Sequence, residues 1–310
     1  MVIGMKKDVI SVLDMQEYLP QLLEEAIVLK RKCRNREVLE PLKNRSIGMI
    51  FEKPSTRTRV SFEVGITQLG GHALYLSPKD MQLGRGETIA DTAKVLSRYV
   101  DAIVYRAFDH NMVVELAENA TVPVINALDN LEHPCQCAAD LLTIKEHKGD
   151  FKGLKLVYVG DGNNVCNSLL LGAAIVGMDM VACCPSGYYP NEKIFKTATR
   201  IGKDTGATIE IIEEPDEAVK GADVIYTDVW VSMGDEAEKE KREKVFKPYQ
   251  VNMKLLKKAK KDCIFMHCLP AHRGYEVTDE VVDSKQSVVF DEAENRLHAQ
   301  KAIMLRLIEH

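Results

Sequence analysis

The segment Phe51-Glu-Lys-Pro-Ser-Thr-Arg-Thr-Arg59 gathers the residues best suited to chemistry in this chain. A β-branched run ends at Phe51, Pro54 breaks it, and Ser55 stands where a helix N-cap belongs, with Gly70 and Gly71 stopping the helix near Leu69. The free N–H groups and positive dipole end of such a helix bind a phosphate-like anion. Ser55, Thr56 and Thr58 add hydroxyl donors, and Arg57 adds a charged planar fork. An ordinary capped helix with a solvated basic turn is the plainer explanation. A cation at a helix N-terminus is unfavourable without an anion, however, which favours an oxyanion site. The spacing is not that of a Walker A loop, so nucleotide hydrolysis is disfavoured.

Other clusters sit at the ends of apolar runs. Gly160-Asp-Gly-Asn-Asn-Val165 looks like half of a dinucleotide fingerprint. Val165 replaces the third glycine, and the next strand leads to Pro-Ser-Gly instead of an acid that would hold a ribose. The turn is therefore expected to present Asn163 and Asn164 to a different ligand. His133-Pro-Cys-Gln136 enters a helix, and His267-Cys-Leu-Pro-Ala271 ends a late strand. Singly, each is more often structural than functional. Ligands of parallel sheets nonetheless gather at the carboxyl ends of strands. Arg106, residues 126–133, Asp228, Cys268 and residues 291–296 all follow expected strand ends, which argues for one cleft between two sheets.

The elements that must position these residues alternate along the chain. Apolar runs at 46–51, 72–76, 102–105, 122–126, 155–159, 180–184, 208–212, 224–227, 264–267 and 288–290 read as strands. Amphipathic stretches at 109–119, 191–205 and 251–260 read as helices between them. This order predicts an α/β protein with doubly wound parallel sheets. Ten strands are too many for one sheet of this size, so two domains are expected, joined by a helix from about Cys135 to Lys148. The stretch 231–247 reads as a long charged loop, expected to close over a substrate.

Composition excludes several function classes. The 310 residues carry a net charge of −5, which offers no general attraction to nucleic acid or anionic lipid. Hydrophobic residues make up 45% and charged residues 28%, as in a globular chain with a large core. None of the eight cysteines forms the Cys-x-x-Cys pairs of a structural zinc site, and a disulfide framework is not needed at this length. With no signal-like start and no run long enough to span a bilayer, a cytoplasmic protein is expected, with no membrane or nucleic-acid partner.

Ser-Thr-Arg-Thr-Arg59, Met81-Gln-Leu-Gly-Arg-Gly-Glu87, His133-Pro-Cys-Gln136, Asp228-Val-Trp-Val-Ser-Met-Gly234, His267-Cys-Leu-Pro-Ala271 and Phe290-Asp-Glu-Ala-Glu-Asn-Arg296 stand in the order and spacing of one family. Over nearly its whole length the chain resembles the ornithine carbamoyltransferases of the aspartate/ornithine carbamoyltransferase superfamily. The resemblance implies a carbamoyl-phosphate domain at 1–142, to which a final helix at 292–310 returns, and an ornithine domain at 143–291, with the active site in the cleft between them. It implies transfer of a carbamoyl group from carbamoyl phosphate to the δ-amine of L-ornithine, giving L-citrulline and phosphate, in arginine biosynthesis. It also implies a homotrimer or an assembly of trimers, with no cofactor and no metal.

By the same resemblance, Ser55, Thr56, Arg57, Thr58 and Gln82 bind the phosphate, Gln82 by reaching a neighbouring subunit's site. Arg106, His133, Pro134, Cys135, Gln136, Cys268, Leu269 and Arg296 surround the carbamoyl group. Arg106, His133 and Cys268 are the expected catalytic residues. Asn164, Asp228, Ser232 and Met233 hold the amino-acid end of ornithine. The loop at 81–87 lacks the lysine that aspartate carbamoyltransferases project into their site, and Asp228 suits a cationic α-amino acid. Putrescine or acetylornithine would leave part of this constellation unpaired.

Overall fold

The computed structural model describes residues 6–231 and 236–308. The chain divides into two compact units, Met1–Leu142 with Glu294–His310, and Thr143–Ala293. Each is built on one all-parallel sheet.

The first unit's sheet holds β1 (Ser46–Phe51), β2 (His72–Leu76), β3 (Ala102–Arg106) and β4 (Val124–Leu128), in the order β2-β1-β3-β4. Its helices are α1 (Leu19–Arg34), α2 (Thr56–Gln68), α3 (Ile89–Leu96), α4 (His110–Asn119) and the start of α5 (Pro134–Lys148). Ile50, Ile103, Tyr105, Val113, Leu116 and Val124 are buried in one cluster between the strands and α3–α4. Burying each such side chain contributes about 1.5–3 kcal/mol.

The second unit runs β5 (Lys155–Val159), α6 (Asn164–Val176), β6 (Asp179–Cys183), α7 (Glu192–Thr205), β7 (Ile209–Ile211), α8 (Pro215–Ala218), β8 (Val224–Thr227), α9 (Lys239–Phe246), α10 (Met253–Leu256), β9 (Ile264–Met266) and α11 (Asp279–Val282). Its strand order is β7-β6-β5-β8-β9. The last helix, α12 (Val289–Ile308), begins here and continues into the first unit's segment.

In each sheet the chain winds outward from a first strand and then returns to that strand's other side. The reversals fall between β1 and β3 and between β5 and β8. Such switch points open a crevice at the carboxyl ends of the two strands, where α/β proteins bind ligands. The residues that end or follow these four strands include Glu52–Thr58, Arg106, Gly160–Asn164 and Asp228, the chemically rich stretches of the sequence.

Several expected elements take another form. Residues 288–290 are not a strand: Ser287 alone bridges to Phe265, and Val289 opens α12. Val288 and Val289 are apolar because that turn is buried. The helix expected over 251–260 shrinks to α10, because Val251 pairs with Val277 instead. The stretch 231–247 is not a long loop. From Glu236 onward it is helical, with α9 anchored by Phe246, whose ring lies 6.2 Å from that of Trp230 and 4.9 Å from that of Tyr188. Ser232 and Met233 lie outside the described residues. Pro123 delays β4 to Val124, beyond the expected start at Val122. All eight cysteines are free thiols. No described helix is long and apolar enough to cross a membrane.

Candidate active site

At the first switch point, α2 begins as its sequence dictates. Ser55 is the N-cap in extended conformation, and its Oγ accepts the Thr58 N–H at 3.2 Å. The Thr56 and Arg57 amides, at the first two helical positions, have no intrahelical acceptor. Among the described residues the Arg57 guanidinium has no carboxylate or other partner, although Glu63 pairs with nearby Arg59. A helix N-terminus with two open amides and an unneutralised guanidinium is a receptacle for an anion.

Behind it lies a buried relay. Arg296, 3% exposed, donates through Nη1 to Gln136 Oε1 at 2.5 Å and through Nη2 to Thr58 Oγ1 at 3.0 Å. Gln136 in turn donates to Asp140 at 2.7 Å. Arg296 occupies one acceptor position of the Thr58 hydroxyl, whose proton can turn toward a ligand oxygen. Arg106 ends β3 and His133 precedes α5, both buried. Burial, and then the positive charges of Arg296 and Arg106, hold the His133 imidazole well below its usual pKa. His133 is therefore a neutral hydrogen-bonding group at neutral pH, beside two fixed cations.

Other expected residues take different stations. Pro134 is the first residue of α5, the position where a missing N–H costs nothing. Cys135 is fully buried and its thiol reaches Asn126 O at 3.5 Å, while burial pushes its pKa up to about 12. Gln82 is exposed, and its side chain makes no hydrogen bond among the described residues.

The loop that delivers His133 is shaped by Asp129, which is fully buried and accepts Asn126 Nδ2, Leu131 N and Glu132 N at 2.7–2.8 Å. His110 Nδ1 lies 2.6 Å from the same carboxylate. That hydrogen bond raises the His110 pKa, with burial opposing it and the charge of Asp129 adding to it. The charged form is thus favoured in the folded state. The ion pair's stabilisation is full below the unfolded histidine pKa of about 6.5 and fades as pH climbs through the higher folded value. His110→Gln should therefore melt below the parent at roughly pH 5.5, with the gap narrowing at about pH 9. Glu132, raised to about 6 by burial and lowered in part by the charge of His110, titrates near the lower pH, so the substitution shifts it as well. Thermal melts across pH check this, and a constant gap would contradict it.

At the second switch point, the α6 N-terminus is already satisfied. Asn163 Oδ1 accepts Val165 N at 3.0 Å and Cys166 N at 3.1 Å, and its Nδ2 donates to Asp228 Oδ2 at 2.8 Å. Asn163 therefore orients Asp228, leaving half-buried Asn164 as the next residue of the turn. Gly162 is glycine for packing, because a Cβ there would lie 2.2 Å from Pro190 N. A cofactor's pyrophosphate is not needed to explain it.

Cys268 donates its thiol proton to Asp228 Oδ1 at 3.1 Å. Leu269 follows in the left-handed region at φ 57°, ahead of a cis bond to Pro270, and its N–H donates to His267 Nδ1 at 2.9 Å. His267 therefore carries its proton on Nε2, facing Glu276 at 3.2 Å. Asp228, His267 and Cys268 offer ligand atoms within 4.8 Å of one another. Both His267 nitrogens are already engaged, so this trio is not a ready three-ligand metal site.

Sequence reasoning missed two supporting groups. Arg242 on α9 donates to Asp161 at 2.8 Å and to Trp230 O at 3.1 Å, pinning the segment that follows Asp228. Glu292 accepts His267 N at 2.9 Å and Tyr226 OH at 3.1 Å beneath the Cys268 turn. A buried Arg within a charged run, or a buried Glu at a helix start, has no local signature.

Residues 7–146 match the family description "Aspartate/ornithine carbamoyltransferase, carbamoyl-P binding domain", and residues 152–307 match its "Asp/Orn binding domain". The chain is 58% identical over 305 residues to a protein of Thermoplasma acidophilum named "Ornithine carbamoyltransferase, catabolic", covering 98% of this chain and 99% of the relative. A Thermoplasma volcanium protein of the same name is 57% identical over 305 residues, with the same coverage. The solved ornithine carbamoyltransferase of Pyrococcus furiosus superposes with a TM-score of 0.94 at 54% identity, covering 99% of each chain. The catabolic designation of the two Thermoplasma relatives overturns the expected placement in arginine biosynthesis. The paired domain matches and full-length relatives establish that this chain is a carbamoyltransferase belonging to the ornithine carbamoyltransferase family of the aspartate/ornithine carbamoyltransferase superfamily.

Proposed function

We propose that this enzyme moves a carbamoyl group between citrulline and phosphate, working in the direction of citrulline breakdown to ornithine and carbamoyl phosphate. The direction is proposed from the relatives named catabolic. The observation that carries the transfer chemistry is the start of α2, which serves either direction. It presents two open amides, the Ser55, Thr56 and Thr58 hydroxyls and an unpaired Arg57, with Thr58 wired through Arg296 to Gln136.

Phosphate is held at that helix end by Ser55, Thr56, Arg57 and Thr58. Arg106, neutral His133 and the Thr58 proton are aimed at the carbonyl oxygen of citrulline's ureido group, with Gln136, Arg296 and Leu269 around it. A phosphate oxygen attacks the carbamoyl carbon, and negative charge builds on the carbonyl oxygen, where preorganised donors count most. The carbon–Nδ bond then breaks, and the nitrogen leaves as an amine bearing one more proton. Cys268, hydrogen-bonded to Asp228, is placed to hold or relay that proton, without a covalent carbamoyl-cysteine. Asp228 and Asn164 grip the α-amino acid end. Ser232 and Met233 join them by their place in the family motif. Gln82 is assigned to the phosphate of a neighbouring copy in a trimeric assembly.

The test is phosphorolysis of citrulline, N-acetylcitrulline, carbamoylputrescine and N-carbamoylaspartate, followed as carbamoyl phosphate formed. Citrulline should be the one good substrate. Turnover of carbamoylaspartate alone would refute the assignment of Asp228.

A further inference from the structure

We propose that Glu52 is a positioning residue for Arg106, acting through the turn that leaves β3. Glu52 is the first residue beyond β1, at the switch point. Its N–H donates to Arg106 O at 3.0 Å. Its carboxylate accepts the Tyr105 hydroxyl at 2.9 Å through Oε1 and the Phe108 N–H at 2.8 Å through Oε2. Arg106 is thus held at the residue before it, at its own carbonyl and two residues beyond.

The hold matters because β3 is irregular at this point. Tyr105 pairs with Asn126, but Arg106 pairs with Leu128, so the register shifts between them. Such an irregularity re-aims a side chain and loses ladder support. Ala107 N donates to Leu128 O at 3.0 Å on one side, and Glu52 supplies the other. Lys53 adds a second grip, its Nζ 4.7 Å from the centroid of the Phe108 ring, which is 54% exposed. Burial, followed by the charge of Glu52 and the hydrogen bond to it, pushes the Tyr105 pKa up, so the phenol remains a donor. Glu52 and Lys53 grip the Arg106 turn, while the anion loop proper opens after them, at Pro54 and the N-cap Ser55.

The inference rests on the carbamoyl role proposed for Arg106. Glu52→Gln keeps the volume but leaves one carbonyl oxygen for two donors. Tyr105→Phe removes the hydroxyl and leaves the grip on Phe108 intact. Citrulline phosphorolysis, calorimetric binding of inorganic phosphate and thermal melting would be measured on both. E52Q should lose about 10- to 100-fold in kcat, the cost of a slightly misplaced group, with phosphate affinity and citrulline KM within about twofold. Its melting temperature should stay near the parent's, and Y105F should keep its kcat within about threefold. Parental kcat in E52Q would overturn the proposal. So would loss of phosphate binding and stability together with kcat, or an equal loss in Y105F. A crystal structure of E52Q separates this from failure of the functional reading. Arg106 should be displaced there, and an unmoved guanidinium would overturn the inference whatever reaction the enzyme performs.

Discussion

Replacing Arg57 by alanine is expected to lower kcat/KM for phosphate-dependent citrulline cleavage by roughly 10²- to 10³-fold, the usual cost of removing one preorganised donor. The loss should appear in phosphate affinity and in kcat, while citrulline KM changes little. Stability should move the other way. Arg57 has no partner among the described residues and sits at the positive end of α2, so its removal relieves an unfavourable interaction. The melting temperature should hold or rise slightly, as when a functional group is kept at a cost in stability. Steady-state kinetics and a thermal melt on R57A check both halves. A destabilised variant with unchanged phosphate KM would make Arg57 a structural residue.

Asp228→Asn carries the second large effect. The substitution keeps the shape that Asn163 and Cys268 hold at 2.8 and 3.1 Å but removes the negative charge. A charge-assisted hydrogen bond is worth about 1.5–3 kcal/mol, which is roughly ten- to a hundredfold in binding. Citrulline KM should rise by that factor, and kcat should fall further because the Cys268 thiol loses its carboxylate partner. Phosphate affinity should be untouched. Comparing KM for both substrates in D228N checks this. Parallel losses for citrulline and phosphate would contradict the division of labour between the two switch points.

What the sequence made legible was local or periodic. Ser55 after a strand and Pro54 is an N-cap by its own chemistry, and α2 begins there. The parallel strands were legible as short apolar runs. Val288-Val289-Phe290 misled because Val288 and Val289 are buried at the start of a helix as they would be in a strand, while Phe290 is exposed. The charged stretch ending at Phe246 hid a helix because its apolar anchors are few and its Arg242 is paired far away, with Asp161. Asn163 and Asp228 lie 65 residues apart, and no local pattern reveals that one orients the other. The direction of reaction was illegible for a chemical reason. The same donors stabilise the same transition state whichever way it is crossed, so only the full-length relatives corrected the expectation of biosynthesis.

The most direct measurement is a crystal structure of the enzyme soaked with inorganic phosphate, because the account stands on where the anion sits. Phosphate should lie at the start of α2, its oxygens about 3 Å from the Thr56 and Arg57 amides and the Arg57 guanidinium. The α6 N-terminus, whose amides Asn163 already occupies, should stay empty. Phosphate at α6, or anywhere away from Arg57, would contradict the account.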